Sequence, residues 1–187
     1  MWEIKYDGQW IAVPIIVILA VAVHLISLQV SAYEFTTLEP DQTNLVLECG
    51  KVLAPWLTFV IAAYGVSSIF YGEGTFKNVV VSSAYALVPY VLFDAVYVGV
   101  FSHLLSLDEK ALYYLGTAIL LWWMLILFFL QFKVVHDFPL GKSFLVAGIS
   151  LVGMIVLWVL AALTYLLTLQ MIQFFVQVGY EFITRGP

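Results

Sequence analysis

Residues 72–90 read G-E-G-T-F-K-N-V-V-V-S-S-A-Y-A-L-V-P-Y. A short turn holding two glycines, one acid and one lysine runs directly into an apolar stretch that contains Pro89. Inside a helix, proline removes one backbone hydrogen bond and its ring crowds the preceding turn, so this stretch predicts a helix bent at Pro89. A second long apolar run precedes the turn. Two runs of that kind joined by a tight polar turn predict a helical hairpin within a membrane, where each segment must satisfy its own backbone.

The composition agrees with the hairpin. Of 187 residues, 64% are apolar and 10% charged, whereas a soluble domain is about half apolar and about a quarter charged. With a net charge of -5 and no Lys/Arg cluster, the chain lacks the counterion-releasing contacts that nucleic-acid binding needs, and nucleic acid is excluded as an expected partner. Cys49 is the single cysteine, which excludes an intrachain disulfide and a multi-thiolate metal site. No metal or other cofactor is expected. The first ten residues carry Glu3 and Asp7 against Lys5, unlike the basic start of a signal peptide, and the run 11–32 is too long for a signal-peptide core. It is read as a retained span.

Five segments are long enough to cross a bilayer, at about 11–33, 51–71, 78–103, 111–132 and 143–167, each roughly 30 Å or more at the helical rise. The expected fold is therefore all-α: a single domain over 1–187, a polytopic membrane bundle of five transmembrane helices. Residues 168–184 follow as an amphipathic segment, with Gln170, Gln173, Gln177, Glu181 and Thr184 recurring on one face. That segment begins about 40 Å along the axis from Ser143. Lying along the outer interface is its preferred reading; the alternative is that it continues the last helix and docks on a neighbouring protein. Trp2, Trp10, Tyr33, Tyr71, Tyr113, Tyr114 and Tyr180 stand at expected boundaries, where aromatic rings anchor helices at the headgroups. Trp122 and Trp123 fall within a span and are expected to pack on helices or lipid.

Lys5, Lys77, Lys133 and Lys142 would share one side, against Lys51, Lys110 and Arg185 on the other. By the positive-inside rule the expected topology is N-terminus in the cytoplasm and C-terminus outside the plasma membrane.

Few residues offer chemistry. Asp94 is the one acid inside an expected span, and an ionisable group there is a functional candidate by default. It lies about 24 Å along its helix from Asn78, past the midplane, and His24 lies about 20 Å along a parallel helix, so a His24-Asp94 pair is geometrically allowed. An interhelical hydrogen bond is preferred over a proton relay, because one acid and one histidine make a thin path. Gly141-Lys142-Ser143 resembles the end of a phosphate loop, but His136 stands where a glycine is required, and no strand precedes it. Ser143 and Thr75 are instead expected as helix caps. No nucleophile with a matching base is present, so an enzyme is not expected.

Gly72-Glu73-Gly74-Thr75-Phe76-Lys77, the run from Ala84 to Tyr90 (A-Y-A-L-V-P-Y), and the turn with His136, Gly141 and Lys142 resemble the bacterial branch of the Yip family, the Ypt/Rab-interacting membrane proteins. The resemblance covers almost the whole chain. It implies five spans with a cytoplasmic N-terminus, and, for some bacterial relatives, a place beside sugar import systems. Eukaryotic relatives bind prenylated GTPases through cytosolic regions; with about ten residues ahead of the first span, GTPase binding is not expected here.

The expected function is that of a non-enzymatic accessory or scaffold subunit of a larger membrane assembly, with the bilayer and other integral membrane proteins, transporter subunits among them, as partners. Gly72, Glu73, Gly74, Phe76, Lys77, His136, Gly141 and Lys142 are the partner-contact candidates. The alternative is a small transporter or channel for an ion, lipid or small solute, lined by His24 and Asp94 beside the Pro89 kink.

Overall fold

A computed structural model describes residues 10–31 and 44–184. Trp2, Lys5, Tyr33, the acidic residues Glu34, Glu39 and Asp41, Pro40 and Arg185 lie outside the described residues. The elements are α1 (Ala12–Val30), α2 (Leu45–Ile69), α3 (Phe76–Ala86), α4 (Val88–Leu104), a 3₁₀ turn (Leu107–Glu109), α5 (Lys110–His136) and α6 (Leu140–Thr184), with no strand among the described residues. α3 and α4 act as one span, so five segments are long and apolar enough to cross a membrane. The protein is an all-α, polytopic membrane helix bundle.

Local chemistry sets the helix ends. Thr75 accepts a hydrogen bond from the Asn78 amide at 3.3 Å and caps α3, as its place after the glycines suggests. Asn44 caps α2 by accepting from the Val46 amide at 3.0 Å, so this helix starts at Leu45 rather than near residue 51 and takes Glu48 into its first turn. Pro55 does not end α2; the Thr58 hydroxyl donates to the Ala54 carbonyl at 2.7 Å in the turn that follows it. At Pro89 the helix does break. Leu87 adopts φ -80° and ψ -11°, its amide donating to the Ala84 carbonyl at 3.0 Å, and α4 starts with Pro89 in its first turn, where no amide proton is needed.

Two expectations change at the last helix. α6 starts at Leu140, so Ser143 lies inside it, buried, and its hydroxyl donates to the Pro139 carbonyl at 3.1 Å instead of capping the helix end. Residues 168–184 do not form a separate interfacial helix: α6 is one helix of 45 residues, about 67 Å long. No proline follows Pro139 before the end of α6, and nothing else in that stretch forces a break.

α3 sits at the centre. Half of the hydrophobic window of the α3–α4 span is buried within the chain, against 11–22% for the other four spans. Val79, Val80, Val81, Ser82, Ser83, Ala84 and Ala86 are all buried, and such short side chains let neighbouring backbones approach from several sides. Val60 and Ala63 of α2, Phe132 and Val135 of α5 and Val146 of α6 close around them. Single hydrogen bonds tie the helices across this core: Trp56 Nε1 donates to Ser83 Oγ at 3.1 Å, and Ser82 Oγ to Gln131 Oε1 at 2.9 Å. Trp123 stacks on Phe93 with centroids 5.7 Å apart, while Trp122 stays 64% exposed and faces outward.

Candidate functional site

Polar side chains gather at the two ends of the bundle. At one end the Gly72–Thr75 turn meets the α5–α6 connection. His136, the last residue of α5, is 3% exposed, and its Nδ1 accepts a hydrogen bond from the Gly74 amide at 3.3 Å. The ring stacks on Phe138 at 5.4 Å, and Lys142 Nζ lies 4.3 Å from the centroid of the Phe138 ring. The two glycines are there for space. A Cβ on Gly72 would stand 2.5 Å from His136 Nδ1 and 3.0 Å from Phe138, and one on Gly74 would stand 2.5 Å from Val135 Cγ1 and 2.8 Å from the His136 ring.

Of the contact candidates named above, the fold brings Gly72, Gly74, His136 and Lys142 into one stack. Their first partner is this chain itself. Glu73, Phe76, Lys77 and Gly141 are exposed beside it, with the Phe76 ring edge-on to Tyr64 at 5.3 Å. The result is a turn of fixed shape whose exposed side chains include one acid, one lysine and one phenylalanine.

The opposite end holds a network across α1, α2 and α4. His24 Nε2 lies 3.2 Å from Glu48 Oε2, and His24 Nδ1 lies 3.2 Å from the Tyr90 hydroxyl. Lys51 Nζ donates to Glu48 Oε1 at 2.6 Å. Ser27 Oγ donates to Asp94 Oδ2 at 2.6 Å, and the Tyr90 hydroxyl also faces the Asp94 carboxylate one helical turn away. Nearby, His103 Nε2 contacts the Val30 carbonyl at 2.8 Å and ties α4 to the end of α1. His24 and Asp94 therefore share a level, but Tyr90 stands between them and Glu48 takes the other imidazole nitrogen.

Glu48 and Tyr90 were not among the residues singled out from the sequence. Glu48 reads as a loop acid until the Asn44 cap is recognised, after which Glu48 and Lys51 fall one turn apart on a helix. Pro89 lies immediately before Tyr90 and starts the helix that carries both Tyr90 and Asp94. Every buried side-chain nitrogen and oxygen among the described residues has a partner, and no set of three potential metal ligands occurs there. Chemically, the cluster can hold three helices together and redistribute a proton.

The motifs on which the family resemblance rests, the glycine turn leading into α3, the run through the Pro89 break and the turn with His136, Gly141 and Lys142, are the ones that shape these ends. The sequence model of the Yip1 domain matches residues 1–175, through all five spans and far into α6. No curated protein and no solved structure matches. A match over nearly the whole chain, joined to five apolar helices around a buried α3, means that this integral membrane protein belongs to the Yip1 domain family.

Proposed function

We propose that the protein is non-enzymatic and acts through contacts with other integral membrane proteins, as an accessory or scaffold subunit of a larger assembly. The observation that carries this reading is α6. At about 67 Å it is roughly twice the thickness of the hydrocarbon core, and among the described residues its second half is mostly exposed. Leu163, Leu167, Phe174 and Phe175 are 52%, 62%, 63% and 64% exposed. A bilayer covers one span's length of such a helix, and the remaining turns need another apolar surface. The glycine turn, preorganised by His136, offers a second contact with Glu73, Phe76 and Lys77 outward.

The family resemblance makes transporter subunits, those of sugar import systems included, the first partners to examine, and the lysine distribution favours a cytoplasmic glycine turn in the plasma membrane. The transport alternative gains no support from the polar end, where Glu48, Tyr90 and Ser27 occupy the hydrogen bonds of His24 and Asp94.

The test is photocrosslinking in native membranes, with a benzophenone side chain at Leu166 or Phe174 and, as control, at the buried Val81. Adducts with another membrane protein from the α6 positions are expected. Lipid adducts alone, together with a monodisperse monomer in mild detergent, would end this reading.

A further inference from the structure

The network at the Glu48 end depends on where one proton sits. His24 stands between two partners of different capability, Glu48 at Nε2 and Tyr90 at Nδ1, each 3.2 Å away. An ionised carboxylate only accepts hydrogen bonds, so Glu48 requires the imidazole proton on Nε2. In a neutral ring Nδ1 is then an acceptor, and Tyr90 must spend its single hydroxyl proton on it. Asp94, facing the same hydroxyl, is left with the Ser27 bond at 2.6 Å. A second proton on the ring reverses this order. Both nitrogens now donate, the Tyr90 oxygen accepts from Nδ1–H, and its own O–H turns to the next acceptor, the Asp94 carboxylate.

We propose that His24 is a proton-binding switch whose state is passed to Asp94 by the Tyr90 hydroxyl. One proton from water forms the Nδ1–H bond, Tyr90 keeps its own proton, and only the direction of its hydroxyl changes. α1 and α4 stay linked in both states, so the switch alters polarity at Asp94 without unlocking the helices.

The surroundings fit this role. Among the described residues, the titratable groups facing it are Glu48 and Lys51 from α2 and Tyr90 and Asp94 from α4, and α1 adds the Ser27 hydroxyl. Tyr113 of α5 interacts electrostatically with Asp94. α3 also packs on α1, but Lys77 lies at its start beside the glycine turn and Tyr85 packs on the apolar core. The His24 side chain is 22% exposed and Lys51 56%, and Lys51 lies within the first two turns of α2, so a proton can reach the ring from that end. The inference does not depend on the partner reading.

Histidine is the side chain that ordinarily changes charge between about pH 5 and 8. The experiment is pH-difference infrared spectroscopy between pH 8 and 5 on the full chain in phosphatidylcholine/phosphatidylglycerol nanodiscs, with ¹⁵N-histidine NMR on the same samples. His24 signals are assigned by loss in His24→Gln and the Asp94 band by loss in Asp94→Asn. In the wild type, His24 Nδ1 gains a proton and the Asp94 band shifts in step with it. In Tyr90→Phe, His24 still titrates while the Asp94 response is lost. An Asp94 band that responds equally in Tyr90→Phe overturns the proposal. So does a wild-type His24 that gains no Nδ1 proton across the range, a result that needs no variant at Tyr90.

Discussion

Gly72→Ala tests the idea that the glycine turn is shaped by His136 of the same chain. The added Cβ would lie 2.5 Å from His136 Nδ1 and 3.0 Å from both His136 Cγ and Phe138 Cζ. His136 is 3% exposed, stacked on Phe138 and bonded to the Gly74 amide, so the ring has nowhere to retreat. Overpacking of this kind costs about 1–3 kcal/mol, and displacing the ring from the Gly74 amide costs about 1 kcal/mol more. The sum, about 2–4 kcal/mol, corresponds to a fall in Tm on the order of 10 °C for a chain of this size. Thermal unfolding in detergent, followed by intrinsic fluorescence, measures it. Gly148→Ala is the control: a Cβ there meets nothing within 4 Å, and a helix-interior alanine should raise stability by up to about 1 kcal/mol. Combining Gly72→Ala with His136→Ala should abolish most of the glycine effect, as coupled neighbours do. A Gly72→Ala protein that melts with the wild type, or additive losses in the double variant, would refute the reasoning.

Other substitutions probe the remaining contacts. Gly116→Ala drives a Cβ into the Tyr97 ring between α5 and α4; the Tm should fall, and Tyr97→Ala in the same chain should relieve the clash, seen as non-additive melting. Glu48→Ala leaves His24 Nε2 and Lys51 without their shared acceptor, so it should lower the Tm more than removal of the exposed Asp108 does; equal effects would contradict the network. Pro89→Ala restores an amide proton able to reach the Tyr85 carbonyl and should straighten the break at Leu87. Electron-spin distances between labels at Lys77 and Leu104 should then lengthen, and an unchanged distance would place the cause of the break elsewhere.

Much of the architecture is legible in particular residues. The spans follow from apolar runs of bilayer length, the turn from Gly72 and Gly74, the cap from Thr75, and the broken helix from Pro89. The site was legible in part. His24 and Asp94 stand out because they are ionisable groups in apolar runs, and their shared level follows from the helical rise. That Tyr90 lies between them did not follow, because a tyrosine near Pro89 looks no different from the other aromatic residues of the chain. Glu48 was hidden by the acidic residues before it, since the Asn44 cap that draws it into α2 is a single side-chain bond. The interfacial reading of residues 168–184 rested on a real glutamine stripe, yet a stripe is compatible with one continuous helix as well as with two.

By itself, then, the sequence determined that this chain crosses a membrane as helices, how many times it does so, and where one of them breaks, because those properties depend on length, hydropathy and backbone chemistry along a single segment. Only the tertiary structure decided which faces meet. A helix that is apolar on every side carries no stripe to set its rotation, so sequence periodicity does not say that α3 is the buried centre. Nor does it say that His136 fills the space left by Gly72 and Gly74, or that Tyr90 points at both His24 and Asp94. Those choices come from close packing between segments far apart in the chain, where small side chains and a few hydrogen bonds select one rotation of each helix over the others.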